Sequence, residues 1–167
     1  MTSTRLEAQQ LHISHMTEHD LLEVVEIEET CGLSLWGWDA YHAELAPEKN
    51  SIMLVIRVRD GEAAGAGEKI QGFIAARLIA NELHINNVAV RPRYRRLGIA
   101  KKLLEATLHE AAGKGAQVAF LEVRAGNAPA QALYAGCGFK VAGRRACYYT
   151  RPMEDALVMS VAIRSSA

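Results

Sequence analysis

The stretch "RPRYRRLGIAKKLL", Arg91–Leu104, packs arginines and lysines around a single glycine and then runs into a helical pattern. Apolar residues recur at Ile99, Leu103, Leu104, Leu108 and Ala111, while Lys101, Lys102, Glu105 and Glu110 take other positions. The preceding "NVAV" reads as the end of a strand, so the stretch is a strand–turn–helix. Such a turn aims unpaired backbone N–H groups at whatever lies beyond the helix start. Three explanations fit this much positive charge: a nucleic-acid patch, a solvated face, or a cradle for the phosphates of a ligand.

The rest of the chain decides how local that charge is. Nineteen Lys and Arg balance nineteen Asp and Glu, so no global excess points to nucleic acid. With 167 residues, 50% hydrophobic and 23% charged, the chain has the composition of one ordinary globular domain. The N-terminus lacks a basic segment followed by an apolar one, and no apolar run approaches the ~20 residues of a membrane span. Cys31, Cys137 and Cys147 are odd in number and lack CxxC spacing, which fits neither a disulfide framework nor a zinc site. His12, His15 and His19 have no carboxylate or cysteine at ligand spacing, so no metal is expected. The expectation is a cytoplasmic protein, monomeric, with no nucleic-acid or membrane partner.

Outward from the turn, periodicity gives the remaining elements. "QLHIS" is a strand, and Thr17 opens a helix through "EHDLLEVVEIEE", with Asp20 three residues on as in a capping box. "LSLWGWDAYHAELA" is a loop and a short second helix ended by Pro47. "SIMLVIRV", "IQGFIAARLI" and "ELHINNVAV" are strands, the last two joined by a tight turn at "AN". The Gly/Ala-rich stretch between Asp60 and Lys69 is taken as a surface insertion. Gly113 and Gly115 end the long helix. "AQVAFLEVRA" reads as a strand apolar on both faces, inside a sheet covered by helices. "NAPAQALYAGCGF" is a short helix stopped by glycines, and "KVAGRRACYY" and "DALVMSVAI" are closing strands. The order predicts one mixed α/β domain over 9–164, with 1–8 and 165–167 as flexible tails.

The spacing Arg95-x-x-Gly98-x-Ala100 is neither GxGxxG nor a P-loop. It resembles the pyrophosphate-binding loop of the GCN5-related N-acetyltransferase (GNAT) superfamily, whose motif is (Arg/Gln)-x-x-Gly-x-(Gly/Ala). "FLEVRAGNAPAQALYAGCGFKVAGRRACYY" with "EDALVMSV" is similar to one branch, the RimI-like ribosomal-protein alanine N-acetyltransferases. The likeness is strong from about Leu83 to Val161. It implies a central, mostly antiparallel sheet with a parallel pair at the acetyl-CoA site, flanked by helices. It also implies transfer of acetyl from acetyl-CoA to the α-amino group of a protein N-terminus, in the namesake that of small-subunit ribosomal protein eighteen. By this resemblance Val88, Ala89 and Val90 would lie along the pantetheine arm. Arg95, Arg96, Gly98, Ile99 and Ala100 would hold the pyrophosphate, and Asn127 would contact the cofactor.

Acetyl transfer to an amine needs a base and then a proton for the departing thiolate. A free α-amino group has a pKa near ~7.7–8, so the base has a modest task. Glu122 interrupts an apolar strand, where a carboxylate is either paired or functional, and desolvation there would raise its pKa. The resemblance makes it the general base; a salt bridge with Arg124 or an edge position is the bland alternative. Tyr134 lies in the short helix that follows. On spacing alone it is core packing, whereas the resemblance makes its phenol the general acid. Asn127 is equally well a helix N-cap. Tyr148 and Tyr149 either line a peptide groove or alternate across a strand. Trp36 is a candidate wall of the same groove, with core packing expected for at least one of Trp36 and Trp38. Cys137, between glycines at a helix end, reads as packing. The alternatives are a GNAT enzyme acting on a small amine or a lysine side chain, and a non-catalytic acetyl-CoA-binding module.

Overall fold

The computed structural model describes residues 10–33, 35–59 and 69–164. The expected tails, and the expected insertion up to Glu68, lie outside the described residues. The elements run β1 (Gln10–His15), α1 (Leu21–Thr30), α2 (Gly37–Glu44), β2 (Ser51–Arg59), β3 (Ile70–Ile79) and β4 (Glu82–Val90). They continue with α3 (Ile99–Gly113), β5 (Val118–Arg124), α4 (Ala128–Gly136), β6 (Lys140–Thr150) and β7 (Met153–Ala162). All seven strands join one sheet in the order β1-β2-β3-β4-β5-β7-β6. Neighbours are antiparallel except β4 and β5, which are parallel. This mixed α/β sheet with its single parallel pair is the GNAT-type architecture expected from the sequence.

The two hydrophobic periods generate two cores. On one face, α3 buries Ile99, Leu103, Leu104 and Ala111 against β2, β3, β4 and β5. Each of the leucine and isoleucine side chains contributes about 1.5–3 kcal/mol by leaving water. Thr107 lies in the same stripe and satisfies its hydroxyl on the Leu103 carbonyl at 2.8 Å. On the other face, Leu21, Val24 and Ile27 of α1 and Tyr41 of α2 pack over Met53, Val55, Phe73 and Ala89. The Thr17 turn behaves as expected: Asp20 accepts the Thr17 backbone N–H at 2.9 Å and its hydroxyl at 3.3 Å.

One expectation needs correction. Strand β5 is not apolar on both faces: Ala119, Leu121 and Val123 are buried, whereas Val118, Phe120, Glu122 and Arg124 are only half-buried. The core under α1 and α2 reaches as far as Ala89 of β4 and, among the described residues, includes none of β5.

The α1–α2 connection hangs on one carboxylate. Glu28 is fully buried and accepts the Trp36 N–H at 2.6 Å, the Gly37 N–H at 3.2 Å and the Tyr41 hydroxyl at 2.8 Å. The Asn87 side-chain amide then donates to the Tyr41 oxygen at 2.9 Å. The first two donors are at the start of α2, where the helix dipole favours a negative group. Burial, reinforced by the bond to Glu28 and its charge, raises the Tyr41 pKa well above the usual phenol value. Glu28→Ala orphans three donors and is expected to cost about 3 kcal/mol in urea-denaturation free energy; a loss below ~1 kcal/mol would contradict this role.

Candidate functional site

The site begins with a misfit between neighbouring strands. In the β3–β4 ladder Ala75 pairs with Asn87 and Ala76 with Ile85, so Asn86 is an extra, bulged residue. A bulge bends its strand and breaks local pairing. The parallel β4–β5 ladder accordingly runs only from Glu82↔Val118 to Ile85↔Leu121. Beyond that point Val88–Val90 keep β3 on one side and face a cleft of about 550 Å³ on the other. Every residue expected at the cofactor lines this cleft: Val88, Ala89, Val90, Arg95, Arg96, Gly98, Ile99, Ala100 and Asn127. Tyr134 lines it too.

The start of α3 closes one end of the cleft. Arg96 and Gly98 both adopt left-handed backbone, at φ 62° and 77°. The first helical bond is the Lys102 N–H to the Gly98 carbonyl at 3.1 Å, so the N–H groups before it point out of the helix end. A β-carbon on Gly98 would have no protein atom within 4 Å. The glycine therefore serves the turn's conformation and leaves space at the cleft.

The basic residues of the turn divide their labour. The Arg91 guanidinium donates to the Ile70 carbonyl at 2.8 Å and to Glu26 at 2.8 Å, and it is 3.7 Å from Glu23. Its bond and charge hold the Glu26 carboxyl below the usual carboxylate range. Arg93 leans on the Tyr94 ring, 5.9 Å from its centre. Arg95, whose Nε donates to the Val90 carbonyl at 3.2 Å, and Arg96 line the cleft.

Helix α4 forms the facing wall. Asn127 caps it, its side-chain oxygen accepting the Ala130 N–H at 3.2 Å, while also lining the cleft. The cap therefore does not take Asn127 away from the cleft. Gln131 ties the helix back to β5 by donating to the Arg124 and Ala125 carbonyls at 3.0 and 2.9 Å. The half-buried Tyr134 ring packs edge-on against Phe139 at 6.1 Å. Burial, then the neighbouring Tyr149 and Cys137, push its phenol up to about 12, so it keeps its proton at neutral pH. Its hydroxyl has no hydrogen-bond partner among the described residues.

The remaining candidates lie outside the cleft lining. Glu122 is on the half-covered face of β5 with 32% of its side chain exposed, so the expectation of a desolvated carboxylate is corrected. Its cationic neighbour is Arg145 at 3.6 Å, not Arg124. Arg124 is held by Glu154 at 3.4 Å and by the Pro152 and Arg151 carbonyls at 3.0 and 3.2 Å. It also stands 4.2 Å over the Tyr149 ring.

Tyr148 and Tyr149 do not simply alternate. The β6–β7 register shifts between Arg145 and Tyr149, Cys147 takes a left-handed φ of 51°, and the two rings meet edge-on at 5.1 Å. Burial first, and then Tyr148, raise the Tyr149 phenol, with Glu122 and Glu154 adding to the shift. Trp36 is half-buried, 5.3 Å from the Tyr41 ring and packed on the second core. Trp38 is exposed and stacks on His42 at 4.7 Å.

Sequence reasoning missed Cys31 and Leu33, which line the cleft from the end of α1. The Cys31 thiol points at the Val90 carbonyl, 3.4 Å away. No spacing signal marks them, because they reach β4 only through the fold. His15 bonds Glu110 at 2.9 Å. Among the described residues no group of three metal-ligating side chains occurs, and no helix is long and apolar enough to cross a membrane.

The model of the acetyltransferase (GNAT) family matches residues 21–139, well over half the chain. The chain belongs to this acetyltransferase family. A Bacillus subtilis protein provisionally named a [ribosomal protein bS18]-alanine N-acetyltransferase is 33% identical over 151 residues, 90% of this chain and 95% of that protein. The Escherichia coli [ribosomal protein bS18]-alanine N-acetyltransferase is 39% identical over 97 residues, 57% of this chain and 66% of that protein. A crystal structure of the ribosomal-protein-S18-alanine N-acetyltransferase from Escherichia coli aligns with TM-score 0.80 at 28% identity, covering 95% of this chain and 97% of that one.

Gly98→Val places a branched side chain in left-handed backbone and in the open space at the α3 start. Acetyl-CoA affinity, measured by calorimetry, is expected to fall by at least about tenfold while the far-ultraviolet spectrum is retained. Unchanged affinity would remove this turn from the binding site.

Proposed function

We propose that this acetyltransferase moves acetyl from acetyl-CoA to the α-amino group of a protein N-terminus, the substrate being the alanine of ribosomal protein bS18. The observation that carries the reading is the opening between β4 and β5, which runs from the exposed N–H groups of α3 to the Tyr134 phenol. In this reading the pantetheine arm lies along Val88–Val90, taking the place of the missing strand partner. The diphosphate meets the α3 N–H groups with Arg95 and Arg96, and Asn127 contacts the arm from the opposite wall. The names carried by the relatives support an N-terminal alanine as the acceptor.

Glu122 then takes a proton from the ammonium, directly or through water, since its half-buried carboxylate still reaches solvent. The amine attacks the thioester, and Tyr134 gives its proton to the departing thiolate. Its phenol pKa of about 12 suits a donor that must stay loaded. The edge-on pair Tyr148 and Tyr149, and Trp36 across the groove, flank the incoming peptide. The protein acts in the cytoplasm as a monomer in this reading.

The direct test incubates the protein with acetyl-CoA and a peptide bearing the bS18 N-terminus, then weighs the peptide. Gain of one acetyl group on the α-nitrogen is expected; acetylation confined to lysine side chains or to small amines would overturn the substrate assignment, and no acetylation at all would favour a binding module. Tyr134→Phe preserves the packing on Phe139 and is expected to lower kcat by about a hundredfold or more. Glu122→Gln should do the same while acetyl-CoA still binds. Because the raised phenol stays protonated across about pH 7–10, kcat of the unaltered enzyme should show no Tyr134-dependent decline there.

A further inference from the structure

Two arginines stand on the tyrosine pair, and they are held differently. Arg124 is fastened by a carboxylate and two backbone carbonyls while it covers Tyr149. Arg145 has none of these. It is 57% exposed, its guanidinium lies 5.7 Å from the Tyr148 ring centre, and its nearest anion is Glu122 at 3.6 Å, too far for a hydrogen bond. Glu122 has no other cation in salt-bridge range among the described residues. A carboxylate beside an aromatic ring is a receptor for a cation, and in the free protein a loosely held side chain of β6, across β7 from Glu122, occupies it.

The acceptor arrives as a cation, because an α-amino group near ~7.7–8 is mostly protonated at neutral pH. We infer that Arg145 is a tethered stand-in for the substrate ammonium: it occupies Glu122 and the Tyr148 face in the free enzyme and is displaced when the peptide N-terminus enters. This rests on the reading of the site as an N-terminal acetyltransferase. Transfer converts the ammonium and the thioester into a neutral amide, free thiol and one released proton. The acetylated product has no charge with which to hold Glu122, so Arg145 returns to it and favours product departure. Arg145 is thus a positioning residue that acts through Glu122 and does not touch the reacting atoms.

The test compares the unaltered enzyme with Arg145→Gln and Arg145→Lys, using the bS18 N-terminal peptide and its N-acetylated form. Arg145→Gln removes the competitor, so the peptide KM should fall about three- to fivefold, the scale of one exposed ion pair, with the change carried by KM and not by kcat. Arg145→Lys, which restores a tethered cation, should return KM toward the original value. Calorimetry on the coenzyme A complex should show tighter free-amine peptide in Arg145→Gln and no gain for the acetylated peptide. An unchanged or raised KM, or an equal gain for both peptides, would overturn the inference and leave the acetyltransferase reading standing. Failure of the unaltered enzyme to acetylate the peptide would overturn both.

Discussion

The parallel pairing of β4 with β5 cannot continue past Ile85 and Leu121, and the functional part of the molecule follows from that stop. The bulge at Asn86 turns β4 away while its other edge stays laddered to β3. On its cleft side the backbone of Val88–Val90 is thereby left without a strand partner among the described residues. Such an edge is a liability unless covered or used, and here it forms one wall of the cleft. The stripe Ile99, Leu103, Leu104 and Ala111 seats α3 on the sheet, which sets its N-terminal N–H groups at the cleft's end. Packing energy thus fixes an electrostatic feature in place.

The opposite face of the sheet separates support from chemistry. Over β2–β4 it is sealed by α1 and α2, whose connection is pinned by the buried Glu28, Tyr41 and Asn87. The core under α1 and α2 does not extend to β5 among the described residues, and Glu122 there keeps contact with solvent and lies 3.6 Å from Arg145. Charge is used sparingly across the same region. Arg91 is neutralised by Glu23 and Glu26, Arg57 by Asp20 and Arg77 by Glu44. Arg95 and Arg96 at the cleft, in contrast, have no carboxylate in salt-bridge range among the described residues, and Arg145 has only Glu122 at 3.6 Å.

The parts legible in the sequence are those written in local pattern. The turn around Gly98, the helical stripe after it, the Asn127 cap and the position of Tyr134 each depend on residues close in the chain. The site residues grouped around the β4–α3 turn converge in the cleft for that reason. The exposure of Glu122 was not legible, because it depends on where α1 and α2 stop covering the sheet, a property of distant segments. The role of Glu28 was equally hidden: its helical spacing shows a charge in α1, but its donors come from Trp36, Gly37 and Tyr41. Likewise strand alternation, one of the two readings open for Tyr148 and Tyr149, is overridden by a register shift that only pairing with β7 reveals.

The account is tested most directly by following the backbone amide resonances of the free protein while acetyl-CoA is added. If the helix start and the unpaired β4 edge grip the ligand, the largest shifts fall on residues 88–90 and 98–101, with smaller ones at Asn127. Saturating ligand that leaves those amides unmoved, while shifting residues elsewhere on the sheet, would contradict it.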